Sequence, residues 1–406
     1  MPFVIVAVPF FFGHAPRLIE AAASLPNVRL GVISQDPQEM LPASTRACLV
    51  AHWRVNDIFD VGQLAHAVEA LSQQMGPPYR LFAAAEHLQV PLAQVREHFG
   101  IEGIPLEAVR NFRDKARMKA VLRNAGLPCA RFGLAGSEVD AWRVADEVGF
   151  PLVIKPQSGA GAVSTFRVDD PDALREALAI SRPTPDQPVL LEEFILGEEF
   201  SFETISLDGE AVWHSLTHYL PTPLEVLRNP WIQWCVLLPR EVDHPRYDDI
   251  RHAATRALDV LGMRTGLSHM EWFRRRDGSV AISEVGARPP GAQITTLISR
   301  ANDIDFVQAW ARVMVYGSFD PPERRYAVGA AYLRGQGSGR VKAIHGLEQA
   351  QREIGHLVTD VQLPLIGQTQ ASGYEGEGYV ILRHPETAVV EQALSRLISL
   401  VRVELG

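Results

Sequence analysis

Three stretches of the chain hold residues whose types and spacing could do chemistry. The first is Pro151-Leu-Val-Ile-Lys155-Pro156, followed by Gln157-Ser158-Gly159-Ala160-Gly161-Ala162. An apolar run ending in lysine reads as a buried strand. The small residues after it let backbone N–H groups approach phosphate oxygens closely, and Lys155 adds a point charge for the same oxygens. GxxxxGK[ST] is absent, so this is not a Walker A loop; a glycine-rich hairpin turn with a snorkelling lysine is the plainer alternative. The second stretch is Leu191-Glu192-Glu193-Phe194-Ile195-Leu196-Gly197-Glu198-Glu199-Phe200, two strand-like pieces about a short connector. Such a backbone offers N–H and C=O groups to a purine edge, and a carboxylate such as Glu199 accepts hydrogen bonds from ribose hydroxyls. An acidic hairpin surface has the same composition.

The third stretch pairs Glu271 with Glu284, 13 residues apart (284 − 271) on opposite arms of an Asp277-Gly278 hairpin. Counted outward from the turn, both can face the same side of a sheet. Facing carboxylates repel unless a cation sits between them. Magnesium held by nucleotide phosphates meets that need, since it takes one or two protein carboxylates plus phosphate oxygens. Arg288 follows in Glu284-Val285-Gly286-Ala287-Arg288, placed to hold a phosphate or carboxylate bidentately. His269 shares the face of Glu271, as a substrate contact or as a structural histidine.

The elements that must position these residues follow from periodicity. At 406 residues, and about 150 per domain, the chain has room for two to three domains. Hydrophobic residues make up 47% and charged residues 21%, which excludes disorder over most of the chain. The net charge of −9 argues against nucleic acid or an anionic membrane surface as the main partner. Three cysteines without paired spacing fit a reducing cytoplasm, the expected location. No apolar run reaches about 18 residues, so no membrane span is expected. Val4–Val8 reads as a buried strand rather than a signal peptide, because no basic residue precedes it.

Residues 1–110 alternate strand and helix: Val4–Val8, Arg17–Ser24, Arg29–Ile33, Val61–Gln74, Leu81–Ala85, Leu88–Phe99. That alternation predicts a parallel sheet with covering helices. The turn after the first strand lacks GxGxxG. Further on, the patterns predict a loop at Gly103–Arg110, one helix over Asn111–Asn124, and helices at Asp140–Val148, Asp170–Ile180, Asp248–Leu261 and Ile304–Val315. Strands are expected at Leu152–Lys155, Ser164–Val168, Val189–Glu193, Glu199–Leu207, Ser268–Arg275 and Ser279–Val285. Leu220–Arg240, with four prolines and two tryptophans, reads as a long irregular loop. Short strands follow Pro321, with one helix near Thr387–Leu400, and a boundary falls near Asp320-Pro321-Pro322.

Taken in order, these segments resemble the ATP-grasp superfamily over roughly Phe112 to Tyr316. Arg113-Asp114-Lys115-Ala-Arg-Met-Lys119 with Ala125-Gly126-Leu127-Pro128, Pro151–Lys155 with its loop, Glu192–Glu199, and Glu271 with Glu284–Arg288 carry the resemblance. Within the superfamily, His269-Met270-Glu271 and the tail segments Gly339–Leu347 and Gly376–Ile381 are most similar to L-amino-acid ligases. The resemblance implies an α/β fold: a Rossmann-like N-terminal lobe at 1–110, an ATP-grasp domain at 111–320 with α+β lobes at about 111–190 and 191–320, and a C-terminal domain of the ligase type at 321–406.

It also implies roles. Lys115 and Lys155 would contact ATP phosphates, and the loop with Ser158, Gly159, Ala160, Gly161 and Ala162 would close over them. Glu192 would lie at the adenine edge, joined there by the Glu193, Phe194 and Ile195 backbone, with Glu199 on the ribose. Glu271 and Glu284 would ligate Mg2+, with Mn2+ able to substitute. Arg288 and Lys155 would be the catalytic residues. His269, Arg288, His218, Trp231 and Trp234 are the candidate substrate contacts, with Arg228 as a further one; the tryptophans suggest an apolar or aromatic substrate side chain. The family commonly has asparagine two residues after the second metal glutamate, where this chain has Gly286.

The implied activity is ligation of a carboxylate to an amine, often yielding a dipeptide, through an acyl-phosphate. The expected partners are small-molecule acid and amine substrates, and a homodimer through the N-terminal lobe. A bicarbonate-dependent carboxylase or purine-pathway enzyme is the rival, although no biotin-acceptor Met-Lys-Met is present. A protein that binds ATP without turnover, motivated by Gly286, is the third reading.

Overall fold

A computed structural model of the chain describes residues 1–157, 165–229 and 231–406. The alternating start forms a parallel sheet in the order Leu49–Arg54, Arg29–Ser34, Phe3–Val8, Arg80–Phe82. Phe3–Val8 is buried along its whole length, as a central parallel strand covered on both faces must be. Helices Ala15–Ala23 and Val61–Met75 lie in the connections, and Asp60 caps the second by accepting from the Gln63 N–H at 2.8 Å.

A second sheet is antiparallel, in the order Phe132–Ala135, Val189–Glu193, Leu152–Pro156, Phe166–Val168. Helices Glu138–Val148 and Pro171–Ser181 cover it. Its register sets Val153 opposite Glu192. Lys155, two residues on, shares their face.

The third sheet has eight antiparallel strands in the order Val280–Gly286, Gly266–Arg275, Gly197–Leu207, Glu210–Leu220, Trp234–Leu238, Ala327–Leu333, Gly378–His384, Val358–Gln362. It runs unbroken across Asp320-Pro321-Pro322, because Trp234–Leu238 pairs with Ala327–Leu333. A small sheet of Gly335–Gln336, Arg402–Leu405 and Val341–His345 lies beyond it.

The structure departs from the sequence outline in several places. Gly103–Arg110 is not all loop, since Leu106–Arg113 is helical. The helix expected over Asn111–Asn124 breaks at Asp114. That residue leaves the helical region and caps a new helix, Lys115–Asn124, by accepting from the Ala116 and Arg117 N–H groups at 3.0 Å. Leu220–Arg240 is not irregular: Thr222 caps a helix at Pro223–Arg228, with Pro223 where its missing N–H costs nothing, and Trp234–Leu238 is a buried strand. The strands Leu49–Arg54 and Glu210–Leu220 and the helix Ile294–Asn302 are additions.

Helix Lys115–Asn124 packs Met118 and Leu122, both fully buried, into a core with Phe200, Trp272, Ile282 and Val285. Each such side chain contributes about 1.5–3 kcal/mol of burial. That burial fixes the helix against the Glu271–Glu284 hairpin and offsets the cost of taking two lysines inside with it. No helix among the described residues is long and apolar enough to cross a membrane.

Candidate active site

Residues from the second and third sheets line one cleft of about 1110 Å³. Lys115, Lys155, Glu192, Glu193, Phe194, Ile195, Glu199, His269, Glu271, Glu284 and Arg288 all lie on its wall. Ser158, Gly159, Ala160, Gly161 and Ala162 lie outside the described residues.

Glu192 is the hub of the basic side. Lys155 Nζ meets one carboxylate oxygen at 2.5 Å and Lys119 Nζ the other at 2.9 Å. Lys119 also donates to the Ser283 carbonyl at 3.0 Å, tying the hub to the hairpin strand. Burial alone would raise the Glu192 carboxyl, but the Lys119 and Lys155 charges outweigh it and hold the group down at about 2. Burial likewise works against the Lys155 ammonium, and Glu192 and Glu284 more than restore it, so its pKa is raised. Glu192 is thus a buried anchor for two lysines.

Glu271 and Glu284 are direct cross-strand partners. Lys115, the first residue of its helix, reaches Glu284 Oε1 at 2.8 Å. Glu199 is pushed well above the usual carboxylate range by burial and then by the Glu271 charge. This crowding of acids is what a cation would relieve. Among the described residues no group of three or more His, Cys, Asp or Glu side chains could hold a metal unaided. Two hard carboxylate oxygens on facing strands, beside lysines suited to phosphate, therefore fit a divalent ion that shares its coordination with a nucleotide.

His269 closes the acidic side. Its Nδ1 lies 2.8 Å from Glu203 Oε1 and its Nε2 lies 3.8 Å from Glu271 Oε1. Glu203 is fully buried and also accepts from Ser201 Oγ at 2.6 Å. Burial opposes the imidazolium, but the hydrogen bond to Glu203 and the nearby Glu271 carboxylate raise it to about 9. A raised pKa gives stability that is complete below the unfolded value of 6.5 and is lost as pH climbs through 9. Urea unfolding of the wild type should therefore lose up to about 3 kcal/mol across that window. His269→Gln should flatten the profile.

Three candidate substrate contacts lie away from the cleft. Trp231 is 66% exposed and Trp234 is 1% exposed, held by a bond from its Nε1 to the Pro221 carbonyl at 3.0 Å. His218 stacks on Phe200 at 4.3 Å and faces Glu198 at 3.6 Å. A long loop at Leu220–Arg240 would leave both Trp231 and Trp234 free to line a substrate pocket; the strand instead turns Trp234 into the core. Its ring there meets edge-on the ring of Tyr374, which does line the cleft. Arg228 lines the cleft too.

The sequence reading missed Lys119, Glu203, Tyr374 and Arg167, whose guanidinium lies 4.2 Å from the Phe194 ring centre. Lys119 had a signal: it sits four residues after Lys115, one turn along the same helix face. Tyr374 had none, because only tertiary packing brings residues 271 and 374 to one cleft.

Residues 120–302 match the family model of the ATP-grasp domain. The match gives the chain an ATP-grasp domain over those residues. Among similar proteins, the L-arginine-specific L-amino acid ligase of Bacillus subtilis is 24% identical over 285 residues, 67% of this chain and 68% of that protein. The crystal structure of an L-amino acid ligase from Bacillus licheniformis superposes with a TM-score of 0.79 at 21% identity, covering 100% of this chain and 99% of that one. N5-carboxyaminoimidazole ribonucleotide synthetase from Thermotoga maritima gives 0.72 at 16% identity, with both chains covered completely.

Proposed function

We propose that this protein is an ATP- and Mg2+-dependent ligase that joins the carboxylate of an amino acid to an amine, releasing ADP and phosphate. The observation that carries the reading is the cleft itself: two anchored lysines, two facing carboxylates and a half-buried arginine on one wall. The amino-acid ligase likeness adds the substrate class.

The chemistry follows from the groups. A carboxylate is a poor electrophile, because oxide would have to leave. Attack of its oxygen on the γ-phosphorus breaks the bond to ADP and gives an acyl-phosphate. An amine then adds to the carbonyl carbon, phosphate leaves, and a proton is lost from nitrogen. Lys155 and Lys115 hold the phosphates, with Glu192 fixing the Lys155 ammonium in place and charged. Glu199 accepts from the ribose, and the Glu193–Ile195 backbone borders the base. Glu271 and Glu284 would hold Mg2+, which supplies charge neutralisation of the phosphates when bound. Arg288 offers its Nη2 amino group to the transferring group. Catalysis of this kind is mostly positioning and electrostatic stabilisation.

An acyl-phosphate moves one oxygen from acid to phosphate. With amino acids labelled by 18O in the carboxylate, the released phosphate should carry one labelled oxygen per turnover. Phosphate without label would contradict the intermediate.

A further inference from the structure

We propose that Glu86, from the N-terminal lobe, is a positioning residue that fixes Arg288 for the transferring phosphoryl group. This rests on the phosphoryl-transfer reading of the cleft given above. Glu86 follows strand Arg80–Phe82, past the C-terminal edge of the parallel sheet, and opens the short turn Glu86–Leu88. Its side chain is 12% exposed and lies between two guanidinium groups: it accepts from Arg288 Nε, and Arg113 Nη1 stands 3.5 Å away. Arg288 Nη1 donates to the Pro289 carbonyl at 2.8 Å. With those two groups held, Nη2 makes no hydrogen bond among the described residues, and Arg288 lines the cleft. The guanidinium is thereby fixed in orientation with one amino group spare. Arg113 directly precedes the Asp114 cap and Lys115. Glu86 therefore braces both the segment bearing Lys115 and the segment bearing Arg288.

Gly286 completes the case. A Cβ there would stand 3.5 Å from Glu86 Oε2 and 3.8 Å from Arg288 Nε, ordinary contact distances, and its backbone is not in the left-handed region. A Cβ fits at this position, so the strand backbone does not require glycine here. The space beside Arg288 is served by a carboxylate from another lobe.

The test is binding of MgADP alone and of MgADP with fluoroaluminate, a mimic of the phosphoryl group in transfer, by isothermal titration. The wild type should bind MgADP more tightly when fluoroaluminate is present. Glu86→Gln should lose about tenfold or more of that gain, because the carboxylate charge that holds the Arg288 guanidinium is gone, while MgADP alone binds as before. Unchanged MgADP affinity also reports that the variant is folded. Glu86→Ala with Gly286→Asp should recover most of the gain, since the carboxylate returns from the neighbouring backbone. Glu86→Gln with the full wild-type gain, or with both affinities reduced by one factor, overturns the role. A wild type that gains nothing from fluoroaluminate overturns the phosphoryl-transfer reading itself.

Discussion

Arg288→Ala is expected to lower turnover by about 10²–10³ while leaving the KM for ATP nearly unchanged, as loss of a group that acts on developing charge does. The argument is geometric. Arg288 follows strand Val280–Gly286 and lines the cleft with Glu271 and Glu284, whose charges, with that of Glu86, raise it against the effect of burial. In the proposed reading the nucleotide is held elsewhere, by the two lysines and the Glu193–Glu199 segment. Arg288→Lys should recover little, because an ammonium that donates to the Glu86 carboxylate has no second nitrogen to present to the transferring group. Steady-state ADP release at saturating MgATP decides it. A rise in the KM for ATP with kcat retained would move Arg288 into ground-state nucleotide binding.

Glu192→Ala is expected to be the most destabilising single change in the cleft, by about 3–5 kcal/mol, because it strands buried charge. Lys119 is fully buried and Lys155 is 8% exposed, and both pair directly with this carboxylate. Glu192→Gln should cost nearly as much, since the amide keeps the shape and loses the charge. Adding Lys119→Met to Glu192→Gln should recover part of the loss, as the more deeply buried ammonium is removed. Urea unfolding at neutral pH measures all three. The acid limb gives a second reading: a carboxyl held at about 2 contributes stability above its unfolded value of 4.5 that is lost as pH falls through 2. A loss below about 1 kcal/mol in Glu192→Ala would mean that the lysines reach water when unpaired.

The parts of the site written in local pattern were legible. Asp277-Gly278 announces a hairpin, and a one-residue register shift between Trp272 and Glu271 brings Glu271 opposite Glu284. The strands Val189–Glu193 and Leu152–Pro156 show as apolar runs ending in charge, and their register brings Lys155 beside Glu192. What failed was tertiary. The segment at Glu192 suggests an adenine edge, while its carboxylate meets two lysines, one of them on a helix 73 residues earlier (192 − 119). Glu86 and Arg288 are 202 residues apart, and no periodicity links them. The prolines of Leu220–Arg240 suggested irregularity, yet Pro223 starts a helix rather than breaking one. Asp114 carried a cap signal that the apolar spacing on either side concealed.

The most direct test of the account is ADP and phosphate release with ATP, Mg2+ and pools of the twenty amino acids, with bicarbonate added or omitted, and the products weighed by mass spectrometry. The account predicts release that needs amino acids, is indifferent to bicarbonate, and yields a condensed mass that is lost in Glu284→Ala and Arg288→Ala. Release that requires bicarbonate and gives no condensed mass would contradict it.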